Sequence, residues 1–208
     1  MLALFGVLRG LDGQVLIGGP PVHPSSPAVA KGDKSRIALV PEDRKTEGLM
    51  LPMSIANNLI AAPFDRVSRA GIIDRDKKKA AVAKGMTKLQ INAGHTDDAV
   101  ATLLAGNQQK VVIAKWLMTY PDIILLNDPT RGIDVGTKQE IYRLMRDLAD
   151  AGKAILFYST DYAELIDCCD RAAVMYDSAV VSELDGDATT ETAIVAASLN
   201  IDTSGAAA

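Results

Sequence analysis

The sequence predicts an α/β fold in which a mainly parallel sheet is flanked by helices. Two continuous apolar runs, Ile37–Val40 and residues 123–126, have the length of strands and lack polar alternation, which is typical of strands buried on both faces. From residue 107 onward helical and strand patterns alternate, and such alternation requires crossover connections between parallel strands. Aromatic residues make up only 4% of the chain, so aliphatic side chains must form the core, as in sheets covered by helices.

The first hundred residues contain few strong elements. Residues 10–34 are rich in Gly, Pro and Ser, and residues 14–17 form the one credible strand of a hairpin and loop. Pro41 ends the strand Ile37–Val40, and a charged cluster follows it. Ser54 is a candidate N-cap for a short helix, and a second helix is expected over residues 74–89.

Three lysines at the start of this second helix, Lys77, Lys78 and Lys79, admit two interpretations. They could bind a phosphate group, but the charge pattern favours a solvated helix face.

Asn107 is expected to begin a helix with an apolar stripe formed by Val111, Ala114, Leu117 and Met118. Thr137 precedes Glu140 by three residues, which is the spacing of a capping box for the helix after residues 123–126. The remaining expected elements are a strand over 154–158, a helix over 161–168, strands near 172–176 and 179–184, a helix over 189–199 and a frayed tail over 203–208.

Composition excludes some partners and compartments. The chain has 22 Lys plus Arg and 26 Asp plus Glu, and the resulting charge of −4 argues against a nucleic-acid partner. No apolar run reaches the roughly 18 residues of a membrane-spanning helix. Residues 1–8 are apolar without a preceding basic region, so a secretory signal is not expected and the cytoplasm is the expected compartment.

Two segments place polar groups where ligands bind in α/β proteins. The strand over 123–126 ends in Asn127 and Asp128, which would lie at the carboxyl edge of a parallel sheet. A helix that begins near Asn107 would present unpaired amide groups and the positive end of its dipole to an anion. Each pattern also has an explanation without a ligand. The residues after the strand form a good Asp-Pro-Thr turn, and the helix near Asn107 reads equally as an ordinary capped amphipathic helix.

The order of three motifs resembles the signature, Walker B with D-loop, and switch segments of an ATP-binding-cassette ATPase. They are LLAGNQQK at residues 103–110, IILLNDPTRGIDVG at 123–136 and FYSTD at 157–161. PEDRKTEGL at residues 41–49, with GNQQK and DPTRGIDVG, is similar to the C-terminal cassette of the tandem ATP-binding subunits of ribose, galactose and xylose importers. The resemblance extends over residues 2–199.

This resemblance implies a P-loop NTPase-like fold, ATP and Mg²⁺ as cofactors, and roles for individual residues. The positions implied as catalytic are Asp128, which would polarise the attacking water, Glu42, which would sense metal and water, and Thr160 at the switch. The metal position is Asn127, and the cofactor-binding positions are Gly106, Asn107, Gln108 and Asp134.

The chain departs from the family pattern at several of these places. Asn127 stands where the family has an Asp, and Asp128 stands where it has a Glu that is longer by one methylene, about 1.5 Å. Leu104 and Ala105 replace a Ser and a Gly. The phosphate-binding string GxxxxGK[ST] does not occur, although the family carries it just before the segment that matches residues 2–6.

We therefore expect one truncated cassette over residues 1–200, with a core of 1–53 and 99–185, a helical insertion over about 54–98, and a disordered tail over 201–208. The expected function is the ATP-binding component, partial and degenerate, of a sugar-import transporter, with no ATP hydrolysis by the chain alone. The alternatives are a non-catalytic interaction module and the product of a truncated or mis-started reading frame without nucleotide binding.

The expected partners are membrane permease subunits, a second cassette and, indirectly, a periplasmic or extracellular sugar-binding protein. The chain would then lie on the inner face of the cell membrane, held there by the permease. Met50, Leu51 and Met53 are expected to form the exposed apolar patch that contacts the permease.

Overall fold

The computed structural model describes residues 1–9 and 12–201 of the chain. The strands are β1 (Val15–Leu16), β2 (Pro21–Val22), β3 (Ile37–Val40), β4 (Ser68–Arg69), β5 (Ile72–Ile73), β6 (Ile123–Asn127), β7 (Ala154–Tyr158), β8 (Arg171–Tyr176) and β9 (Ala179–Asp185). The α-helices are α1 (Pro27–Lys31), α2 (Ile55–Ala61), α3 (Phe64–Val67), α4 (Arg75–Lys88), α5 (Ala105–Leu117), α6 (Val135–Asp150), α7 (Tyr162–Cys168) and α8 (Glu191–Ser198). The tail predicted to fray, residues 203–208, lies outside the described residues.

The predicted α/β architecture is confirmed by a three-stranded sheet in the order β3, β6, β7. β3 and β6 run parallel, with Ile37 opposite Ile123 and Val40 opposite Leu126. All four residues of β3 and the middle of β6 are buried, as their continuous apolar sequences predict. The side chains of β7 alternate between exposed and half-buried, and β7 lies at the end of the sheet.

Helix α5 packs its predicted apolar stripe into the core, where Val111, Ala114 and Leu117 are buried. Its Trp116 ring meets Phe5 edge-on, with ring centroids 5.3 Å apart. The contact joins the N-terminal residues to the same core as β3.

Residues 54–98 contain the helices α2, α3 and α4 and the short hairpin of β4 and β5. The Ser54 hydroxyl accepts from the Asn57 amide at 3.1 Å, which confirms it as an N-cap. In α4, Lys77 and Lys79 are exposed as a solvated face requires, whereas Lys78 donates to the Asn57 side chain at 2.8 Å. The division into a core and an insertion stays a prediction.

Two predicted helix starts are wrong. Helix α5 begins at Ala105 after the N-cap Leu104, and the Asn107 side chain instead accepts from the Asn92 amide at 3.0 Å. Helix α6 begins at Val135, since Asp134 has extended backbone and caps the Thr137 amide at 2.9 Å. Thr137 therefore lies inside the first turn, and its pairing with Glu140 does not mark the helix start.

The chain divides into two compact units, residues 1–156 and 157–208. In the described part of the second unit, β8 and β9 form an antiparallel hairpin with Arg171 opposite Asp185, flanked in sequence by α7 and α8. Among the described residues, no helix combines the length and apolarity that crossing a membrane requires.

Candidate functional site

The candidate site lies where β3 and β6 end side by side. Because Val40 is opposite Leu126, the loops that carry Glu42 and Asp128 leave the same edge of the sheet. Asn127 is half-buried at the end of β6, and Asp128 is buried with a φ of 47°. This left-handed conformation, which Asp tolerates better than most residues, turns the chain sharply after the strand.

An ion pair joins the two loops. Arg131 Nη1 donates to Glu42 Oε1, and Arg44 Nη1 donates to the carbonyl oxygen of Arg131 at 3.1 Å. The carboxylate of Glu42 is thus balanced by a guanidinium instead of facing the edge as a net negative charge. Arg131 was not among the predicted site residues, although it is the only cation of the DPTRGIDVG motif.

The loop after Glu42 is shaped by its own carboxylate. Asp43 accepts from the Lys45 amide at 2.8 Å and the Thr46 amide at 3.4 Å, and it caps a π-helical turn over Arg44–Gly48. These bonds, the one from Lys45 foremost, hold the pKa of Asp43 below its ordinary value.

The first turns of α5 and α6 meet at a glycine. A Cβ atom on Gly106 would lie 2.5 Å from Thr137 Oγ1, so only glycine permits this approach. Thr137 donates both its amide and its hydroxyl to Asp134, each at 2.9 Å, and these bonds lower the pKa of Asp134. The structure therefore brings Gly106 and Asp134 together through Thr137.

The side chains of Asn107 and Gln108 bind the protein's own backbone. Asn107 accepts from the Asn92 amide, and buried Gln108 directs its Nε2 toward the carbonyl oxygen of Val100 at 3.4 Å. At the N-cap, Leu104 is 80% exposed and makes no capping bond. A phosphate at this end of α5 would therefore have to be bound by the backbone amides of the first turn.

Thr160 belongs to the second unit, where it lies exposed between β7 and α7. Its neighbour Ser159 is buried, donates to Glu164 at 2.7 Å and accepts from the Asp161 amide at 3.0 Å. The loop before α7 is thereby fixed within its own unit.

The segment over residues 48–53 carries the predicted apolar patch. Met50 and Met53 are each 40% exposed, as predicted, whereas Leu51 is half-buried, so the structure exposes two of the three predicted patch residues. The fully buried Asn58 holds this segment, accepting from the Met50 amide at 2.8 Å and donating to the Met50 carbonyl oxygen at 3.1 Å.

A second helix holds the same segment through a buried lysine. Lys115 of α5 donates its ammonium group to the carbonyl oxygen of Gly48. Burial lowers the pKa of Lys115 to about 8. The sequence carries a signal for it, since Lys115 follows Val111 by four residues and interrupts the apolar face of the helix.

The motifs and their placement agree with a comparison against known families. A family model described as ABC transporter matches residues 1–131. The chain belongs to the ABC transporter family. Among curated proteins, the ribose import ATP-binding protein RbsA 1 of Mesorhizobium japonicum is 61% identical over 201 residues, which are 97% of this chain and 39% of that protein. Its counterpart in Rhizobium johnstonii is 59% identical over the same shares.

Solved structures show that the fold is that of an ABC-transporter ATP-binding cassette. A nucleotide-free ATP-binding cassette from an ABC transporter superposes with a TM-score of 0.77 at 18% identity, covering 93% of this chain and 78% of that one. The ADP conformation of MJ1267, an ATP-binding cassette of an ABC transporter, gives a TM-score of 0.71 at 18% identity, over 96% and 78% of the two chains. This ABC chain spans about two fifths of the length of the curated relatives that it matches.

Proposed function

We propose that this chain is the ATP-binding component of a sugar-import ABC transporter, in the form of a partial and degenerate cassette. The observation that carries the proposal is 61% identity, over 97% of the chain, to a ribose import ATP-binding protein. The proposed organisation is one cassette with a core of residues 1–53 and 99–185 and a helical insertion over 54–98.

The proposed site is the edge at which β3 and β6 end. Within the first unit we assign water activation to Asp128, the sensing of metal and water to Glu42, and the metal position to Asn127. Thr160, in the second unit, remains the proposed switch position. Nucleotide phosphates would contact the first turns of α5 and α6. The positions that we assign to nucleotide binding are Gly106, Asn107, Gln108 and Asp134.

The donor set at this edge does not fit Mg²⁺ well. Asn127 offers an oxygen without charge, and the carboxylate of Glu42 is already paired with the guanidinium of Arg131. Among residues 1–9 and 12–201, no three carboxylate, imidazole or thiol groups converge so as to hold a metal ion. We therefore derive no hydrolytic step and propose that the isolated chain does not hydrolyse ATP.

The exposed side chains of β7 support the partial character of the cassette. Leu156 is 45% exposed on a strand of a parallel sheet whose neighbour β6 is buried. Such strands are normally covered on both faces and paired on both edges. A further strand beside β7, carrying the glycine-rich phosphate loop that this sequence lacks, would complete the cassette.

The 48–53 segment is the proposed contact with the permease. Its methionines are exposed and adaptable, while hydrogen bonds from Asn58 fix the backbone beneath them. Bound in this way, the chain would lie on the cytoplasmic face of the membrane beside a second cassette. A sugar-binding protein on the other face would be an indirect partner.

The mismatch of the metal donors also favours a second candidate, a non-catalytic interaction module of the same importer. Such a module would contact the permease without binding nucleotide. Nucleotide binding by a completed cassette therefore separates the two candidates.

A chimera tests the importer role. The 201 matching residues of the Mesorhizobium japonicum relative are replaced by those of this chain, and the protein is purified by a tag on the permease subunits of that importer. We expect the chimera to co-purify, and we expect Met50→Glu with Met53→Glu to abolish co-purification. Ile72→Glu, at an apolar position that is 75% exposed in β5, is the matched control and should retain binding. A folded chimera that never co-purifies, or a double variant that binds as well as the control, would refute the proposal.

A further inference from the structure

The 48–53 segment forms hydrogen bonds with side chains of two helices, α2 and α5, and the donor from α5 is a buried lysine. Lys115 is only 8% exposed, and its ammonium group donates to the carbonyl oxygen of Gly48. In the described part of the chain no carboxylate forms an ion pair with it, and the centroid of the Trp116 ring lies 5.8 Å from its Nζ. A buried ammonium with a carbonyl acceptor and no counter-ion is costly to maintain.

The backbone at Gly48 is shaped to receive this contact. Gly48 is buried, and a Cβ atom there would lie 3.0 Å from Cγ2 of Val112, so the segment lies directly on α5. Val112 and Lys115 are three residues apart and share one face of the helix. The glycine allows close approach, and the lysine then binds the carbonyl oxygen.

The contact matters because of the residue that Lys115 binds. The carbonyl oxygen that it binds belongs to the first residue of the segment whose exposed side chains are Met50 and Met53. Asn58 of α2 holds the middle of the segment at Met50. With the hydrogen bonds of both Asn58 and Lys115 formed, the two methionines project from a backbone that is already fixed before a partner binds.

We propose that Lys115 is a positioning residue that holds the 48–53 segment against α5 in the conformation that presents Met50 and Met53 to a partner. The proposal rests on the proposed function, because the partner is the permease surface assigned there. Burial lowers the pKa of this lysine, which means that its charge is kept at a cost to stability. If the position served only to fill space, an apolar side chain of the same length would do so without the cost of burying a charge.

Amide hydrogen exchange of the isolated chain, followed peptide by peptide, tests the proposal. In Lys115→Met we expect exchange of residues 48–53 to be at least tenfold faster than in the native chain, while the urea midpoint stays unchanged or rises. Lys115→Arg keeps the charge and the donor, so it should restore the slow exchange. Lys110→Met is the matched control, because Lys110 lies on the same helix but pairs with Glu140 at 2.5 Å; it should leave exchange over 48–53 unchanged.

Unchanged exchange over 48–53 in Lys115→Met would overturn the proposal. So would a general increase in exchange with a lower midpoint, since that result assigns Lys115 to overall stability. If Lys115→Met does not fold, Lys115→Gln replaces it with a polar group too short to reach Gly48, and the same local opening is expected. Failure of both variants to fold also contradicts the proposal. No nucleotide or permease enters these measurements, so their failure is distinct from failure of the proposed function.

Discussion

Raising the pH should stabilise this protein through Lys115, and replacing Lys115 by Met should remove that gain. Burial sets the pKa of Lys115 at about 8 in the folded chain, against 10.5 when the side chain is exposed. Between these two values the unfolded chain keeps a proton that the folded chain has released. Because the unfolded state binds more protons there, the free energy of unfolding rises with pH over this interval.

The size of the effect follows from the two pKa values. At about 1.36 kcal/mol for each pKa unit, a change from 10.5 to about 8 corresponds to about 3 kcal/mol. Below pH 8 the native chain lacks this contribution, and above pH 10.5 it has all of it.

Urea unfolding of the native chain and of Lys115→Met, at intervals between about pH 7 and 10.5, measures the difference directly. All other ionisations are common to both proteins, so the native chain should gain about 3 kcal/mol relative to the variant. Lys115→Arg is the control, because a guanidinium does not titrate in this range and its curve should run parallel to that of Lys115→Met. A native-minus-variant difference that is constant with pH would refute the burial of the ammonium group.

Three further variants test the candidate site. Gly106→Val places carbon atoms against Thr137, 2.5 Å from its hydroxyl oxygen already at Cβ, and should lower the free energy of unfolding by about 1 to 3 kcal/mol in urea titrations. Arg131→Gln removes an ion pair that is exposed on both sides, so the same measurement should change by less than about 1 kcal/mol. Asn127→Asp with Asp128→Glu should release no phosphate from ATP in a colorimetric assay, because a metal ion needs a phosphate cradle to act on.

Each of these expectations has a contrary result. A Gly106→Val chain as stable as the native one would mean that α5 and α6 do not meet at their first turns. A loss of several kcal/mol in Arg131→Gln would show that the two loops depend on the ion pair for folding. Phosphate release by the double variant would show that the chain contains a phosphate site elsewhere.

The sheet could be predicted from sequence because its signals are local. The apolar runs of β3 and β6 have no alternation, and burial on both faces is the only arrangement that uses them fully. The starts of α5 and α6 could not be placed in the same way. Asn107 is a good N-cap by type, but its side chain bonds to Asn92, fifteen residues away, and this partner is visible only in the fold.

The contacts of the candidate site could not be predicted from local sequence patterns either, because they join residues that are distant in the chain. Glu42 and Arg131 are 89 residues apart, and Gly48 and Lys115 are 67 apart. Their pairing follows from the register of β3 with β6 and from the packing of α5, neither of which a motif encodes. The exposure of Met50 was expected from the family resemblance, and no local pattern separates it from its neighbour Leu49, which is buried.

Isothermal titration with Mg-ATP tests the account of a partial cassette most directly. The native chain is compared with one that carries, at its amino end, the first strand and glycine-rich loop of a family cassette, together with Asn127→Asp and Asp128→Glu. We expect at best weak binding by the native chain, with no saturation in the micromolar range, and saturable binding by the completed one. Micromolar binding by the unmodified 208-residue chain would contradict the account, because it would require a phosphate site made from the residues that this protein already has.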